Sequence, residues 1–134
     1  MQKRVYFDYF YGGESEQFSY YRIPRLLVTG HQFKNLSTDA KLLYGLMLDR
    51  MGLSARNGWY DEKGRVYIFY SLEEVMTDLN CGHDKAVKML ADLDTAKGDI
   101  VLFLSKRVGV YPESNPFYGR KGLKIRCVGK FYVF

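Results

Sequence analysis

Residues 71–93, SLEEVMTDLNCGHDKAVKMLADL, read as two short helices separated by a break of three or four residues. Ser71 stands three before Glu74, the spacing of a capping box. There the hydroxyl accepts from the third helical N–H and the carboxylate reaches back to the serine N–H. Leu72, Val75, Met76 and Leu79 recur at three- and four-residue steps and make one apolar face. NCGH interrupts the pattern, with Gly82 as N-cap of the second helix. That helix begins near His83, with Ala86, Val87, Leu90 and Leu93 expected to face inward. Helices joined this tightly are either plain packing or a helix-turn-helix whose second helix enters a DNA groove.

The outward face of the second helix carries His83, Asp84, Lys85, Lys88 and Asp92. Polar and basic side chains on the first two turns are what base edges and phosphates require. A solvated helix face has the same composition, so these residues alone leave both readings open.

The following segment bears on the choice. Residues 100–108 are β-prone, a loop with Pro112 and Pro116 follows, and residues 123–133 return as a second strand, with Gly109 expected in the turn. A helix-turn-helix followed by a β-hairpin is a winged helix. Lys106, Arg107, Arg120, Lys121, Lys124 and Arg126 lie along this hairpin or its tip, where a wing follows the phosphate backbone. Phosphate contacts give affinity and salt dependence, while the helix gives sequence choice. The formal net charge is +5, and residues 98–134 hold seven Lys and Arg against two Asp and Glu. Residues 1–97 balance at 13 of each sign, so the whole excess falls in the expected wing.

Upstream, LSTDAKLLYGLMLDRMGLSARNG contains the strongest helix. Ser37 is its N-cap and Asp39 in the first turn suits the helix dipole. Leu42, Leu43, Leu46, Met47 and Met51 are its expected apolar face, and Gly58 its stop. DEKG at 61–64 is a turn, with Asp61 and Glu62 solvated, and RVYIFY at 65–70 is a strand. At the N-terminus, two aromatic runs flank GGESE, a hairpin signal. Strands are expected near Val5–Phe10 and Gln17–Arg22, ended by Pro24, forming either a flap over the core or an arm for dimerisation or DNA contact.

A length of 134 residues suits one domain, here a β arm (1–23), a helical core (24–97) and a wing (98–134). The class is α+β: a winged helix-turn-helix with an N-terminal β-hairpin arm and a C-terminal β-wing. The cysteines, Cys81 and Cys127, have neither CxxC nor metal-ligand spacing, and are read as reduced thiols of a cytoplasmic protein. No signal-peptide h-region or membrane-length apolar run occurs, so no membrane association is expected. His31 and His83 are isolated and no phosphate-binding glycine motif is present, so neither enzymatic activity nor a cofactor or metal is expected.

YYRIPRLL, LSTDAKLLYGLMLDRMGLSARNGWYDEKGRVYIFYSLEEVMTDLNC and KAVKMLADLD resemble the N-terminal domain of RepA-type replication initiators of plasmids from Gram-positive bacteria. The likeness runs from about Phe18 to Asp94. It implies a winged-helix domain that dimerises and binds repeated double-stranded DNA sites in a plasmid origin, which in that family often lies within the initiator's own coding sequence. It also implies that the helix from His83 is the recognition helix, with Lys85 and Lys88 in its KAVK word. The chain departs from the family at Gly82, where Ser is usual, at His83 and Asp84, and throughout the wing. Initiators of the family continue into a C-terminal domain. The 134 residues are therefore expected to bind an origin without initiating replication unaided, whether they are a fragment or a short natural protein. The competing expectation is a repressor from a mobile element or a winged-helix protein-binding module, in which wing and aromatic arm grip another protein, for instance as an inhibitor of a host protein carried by a mobile element.

Overall fold

A computed structural model describes Tyr9, residues 20–93, residues 105–110, Glu113, Gly119 and residues 121–126, with backbone alone for 105–110, Lys121 and Arg126. The chain order is α1 (Arg25–Thr29), a 3-10 turn (His31–Phe33), α2 (Thr38–Arg56), β1 (Ile68–Tyr70), α3 (Leu72–Leu79), α4 (His83–Asp92), β2 (Ser105–Val110) and β3 (Lys121–Arg126). The class is α+β.

Each main helix starts and stops on local chemistry. The Ser37 side chain accepts from the Ala40 N–H at 3.1 Å, and Gly58 follows α2 with φ 77°. At α3 the Glu74 N–H donates to Ser71 Oγ at 3.1 Å, and the Ser71 N–H donates to Glu74 Oε2 at 2.9 Å, so the capping box is complete. Asn80 takes a left-handed conformation, φ 51°, that ends α3. Gly82 caps α4 without a side-chain bond. Ser71→Ala is expected to cost about 1 kcal/mol, read as a lower urea midpoint at unchanged slope.

The core is built where α2, α3, α4 and the sheet meet. Leu27, Leu43, Tyr44, Met47, Ile68, Tyr70, Val75, Leu93 and Ile125 are its largest fully buried side chains. The helical phases differ from expectation at two positions. On α2, Leu42 is 40% exposed, while Ala40, Leu43, Tyr44 and Met47 occupy the buried i, i+3, i+4, i+7 stripe. On α4, Val87 is 43% exposed and Met89 takes its place beside Ala86, Leu90 and Leu93. In both helices the choice of stripe is set by which residues complete a contiguous face against the neighbouring elements. Gly45 is buried on α2, and a Cβ there would meet Ile23 Cγ1 at 2.7 Å, so residues 22–23 cross the helix where no side chain stands.

The sheet has the order β1–β3–β2, antiparallel throughout. β1 follows α2 in sequence yet lies beside the last strand, tying the hairpin to the helical core through Ile68 opposite Ile125. The expected strand over 65–70 is shortened to its last three residues. Its first part instead closes a tight local turn with a single Tyr60–Val66 bridge. Asp61 organises that turn and is not solvated: its carboxylate, fully buried, accepts from the Lys63 and Arg65 N–H groups and from Arg65 Nε, each at 2.9 Å. Glu62 is exposed, as expected. Gly109 does not turn the hairpin; it is paired with Gly122 inside it. The β2–β3 connection lies beyond Val110, where Gly119 has φ 84°.

Two further elements, α1 and the 3-10 turn, had no sequence expectation. Both are shorter than the windows over which periodicity is legible, and Pro24 precedes α1 rather than merely ending a strand. Of the expected N-terminal strands, Tyr9 and residues 20–22 carry no strand, and the remainder falls outside the described residues. The same holds for residues 100–104 and for everything after Arg126, including Cys127; Cys81 is a free thiol.

Candidate nucleic-acid interface

α3 is held on α2 and β1 by contacts that no local pattern announces. Arg50 of α2 reaches Glu74 at 3.5 Å and Asp78 at 3.2 Å, and its guanidinium lies 3.8 Å above the Tyr70 ring. The Tyr70 hydroxyl donates to Asp78. Burial and that hydrogen bond hold the Tyr70 phenol well above its ordinary pKa. A half-buried arginine pairing two carboxylates over a ring orients α3 on α2 more than it stabilises the fold, since partly exposed ion pairs are worth about 1 kcal/mol or less. The same Glu74 closes the capping box, so one carboxylate serves both the start of α3 and its docking.

α4 leans on the start of α2. Lys85 Nζ is 3.4 Å from Asp39 Oδ2, and Ser37 Oγ donates to Asp92 Oδ2 at 3.4 Å. Ala86, Met89, Leu90 and Leu93 are buried beneath it. The centre of the outward face is therefore Asp84 and Lys88, with Val87 to one side, all exposed, and Ala91 half-buried. His83 is exposed, its Nδ1 3.3 Å from Asp84 Oδ1. Of the four helix residues expected at an interface, Asp84 and Lys88 share the middle of the free face. His83 lies at its N-terminal edge, and Lys85 and Asp92 lie on the flank facing α2. Val87 was the residue that sequence reasoning missed. Testing the stripe with Met89 included would have found it, because Ala86, Met89, Leu90 and Leu93 complete the helical template and leave Val87 outside.

The hairpin cations divide by register. Arg107 is opposite Lys124, Arg126 opposite Ser105, Lys106 opposite Ile125 and Lys121 opposite Val110. Cross-strand partners share a sheet face and neighbours alternate. Positions 107, 124 and 126 thus lie on one face, and positions 106 and 121 on the face of the buried Ile125, with 121 at the end of the hairpin nearest its turn. Lys124 is half-buried, its Nζ 4.1 Å above the Tyr67 ring, in a cluster where Trp59, Tyr67 and Phe69 stack and meet edge to face. Arg120 lies outside the described residues.

The family pattern of the replication initiator protein A (RepA) N-terminus matches residues 19–124. This chain belongs to that family.

Solved relatives of the RepA N-terminus carry the likeness over nearly the whole chain. A structure described as a Rep–DNA complex is 29% identical, with a TM-score of 0.64, covering 95% of this chain and 88% of that one. An N-terminal domain of a DNA-binding protein is 28% identical, with a TM-score of 0.63 and coverage of 96% and 88%. A structure described as the MDR initiator is 26% identical, with a TM-score of 0.60 and coverage of 93% and 89%. A 41 kDa protein of Lactobacillus helveticus is 24% identical over 70 residues, 52% of this chain. The chain spans 20% of the length of that curated relative. Among the described residues of this RepA N-terminus, no helix is long and apolar enough to cross a membrane, and no group of three metal-ligating side chains is assembled.

Proposed function

We propose that this chain binds double-stranded DNA sequence-specifically as a winged helix-turn-helix, serving as the origin-binding part of a plasmid replication initiator. α4 would lie in the major groove, with Asp84 and Lys88 toward base edges and His83 and Lys85 at the groove margins. The β2–β3 hairpin would follow the phosphates through Lys106, Arg107, Arg120, Lys121, Lys124 and Arg126. The observation that carries the reading is the coupling of the α3–α4 pair to the hairpin through β1. One rigid unit then presents a helix with a free face and a basic ribbon together. Membership of the RepA N-terminus family and the likeness to a Rep–DNA complex support the same partner.

We propose further that the domain binds repeated origin sites as a homodimer in the cytoplasm, without cofactor or catalysis. The test is binding of the 134-residue chain to its own coding DNA, tiled in short duplexes, at two salt concentrations. Tight, salt-sensitive binding to a repeat-bearing tile is expected. Weak and equal binding to every tile would overturn the reading and favour a protein partner for this face. Lys121→Ala is expected to weaken binding to all tiles alike and to reduce the slope of log affinity against log salt by about 1. An unchanged slope would remove the hairpin from the phosphates.

A further inference from the structure

We infer that Val87 is a specificity-determining residue that reads the C5-methyl group of a thymine in the bound site, a proposal resting on the DNA-binding reading above. Val87 is the fifth residue of α4 and 43% exposed, on the side of the free face toward the N-terminal edge. Around it stand Asp84 one turn before, Lys88 beside it and the half-buried Ala91 one turn after. Polar Asp84 and Lys88 hold the middle of the face, and its exposed apolar part is one valine wide. A single valine does not make the broad exposed apolar patch that marks a protein-binding surface. A thymine methyl is itself one small apolar group standing in the major groove. An apolar side chain reads it there by direct contact. Position 87 also falls in the N-terminal half of the helix, the part of a recognition helix that meets base edges.

Lys88 adjoins Val87 along the chain and donates only, so it suits the guanine O6 and N7 acceptors. Both project from one turn of α4, so the thymine read by Val87 lies near the guanine read by Lys88.

Deoxyuridine removes the C5-methyl and leaves every hydrogen-bonding group of thymine in place, so the test needs no change in the protein. The tile bound most tightly would be remade with deoxyuridine at one thymine at a time. The parent is expected to lose roughly fourfold in affinity at one thymine, the factor that burying one methyl-sized group is worth. Val87→Ser should bind the unmodified tile at that reduced level and ignore the substitution. Lys88→Ala should bind more weakly throughout yet keep the thymine dependence. Indifference of the parent to deoxyuridine at every position, with Lys88→Ala still impaired, would overturn the role of Val87 and leave DNA docking intact. Thymine dependence that survives in Val87→Ser would also overturn it. Failure to bind any tile would overturn the DNA-binding reading and this inference together.

Discussion

Leu43→Ala is expected to lower the unfolding free energy by about 2–5 kcal/mol, and Leu42→Ala by no more than about 0.5 kcal/mol. The two leucines are adjacent in the same helix, so their propensities and helical neighbourhoods are nearly the same. They differ in surroundings: Leu43 is fully buried in the cluster with Tyr44, Met47 and Ile125, while Leu42 is 40% exposed. Truncating Leu43 loses the transfer free energy of its buried atoms and leaves a cavity that the packed helices close only partly. Truncating Leu42 exposes little new apolar surface, and alanine is the better helix former. A small domain has only about 5–15 kcal/mol to lose, so Leu43→Ala should move the urea midpoint far enough to threaten folding at growth temperature. Equal shifts for the two variants would mean that α2 is rotated from the phase described.

Lys88→Ala is expected to weaken binding to the preferred tile by about 1–3 kcal/mol and to relax preference at one base pair, the cost of losing a base-edge contact. Lys85→Ala is expected to cost less and to weaken all tiles alike. The reason lies in the placement of two lysines that are three apart on one helix. Lys88 stands at the middle of the free face and makes no ion pair among the described residues. Lys85 leans to the α2 flank, its ammonium 3.4 Å from Asp39. Engaging a phosphate from there means leaving a carboxylate, so the net gain is small and strongly screened by salt. Affinities of both variants on the preferred tile and on single-base changes of it would decide. If Lys85→Ala relaxes base preference and Lys88→Ala does not, α4 enters the groove by its other edge.

What was legible in the sequence was whatever a few adjacent residues decide among themselves. The caps at Ser37 and Ser71, the glycine stop after α2, the break at 80–82 and the four-residue stripe of α3 all rest on hydrogen bonds or spacings within one turn. Each is found where its residues predict it. The α+β class and the basic hairpin followed from the order of such elements and from where the charge falls. Tertiary structure decided what depends on partners distant in the chain. Leu42 and Val87 are as apolar as the residues that displaced them, and only the position of the neighbouring helices and strands selects the stripe that is buried. RVYIFY has strand composition throughout, but Asp61 draws its first residues into a turn and only residues 68–70 find a partner in β3. Arg50 joins Tyr70, Glu74 and Asp78 across 20 or more residues of sequence, and Lys85 meets Asp39 across a still longer gap. Helix amphipathicity states how much of a helix is apolar; which part remains free for a partner is set by the elements packed behind it.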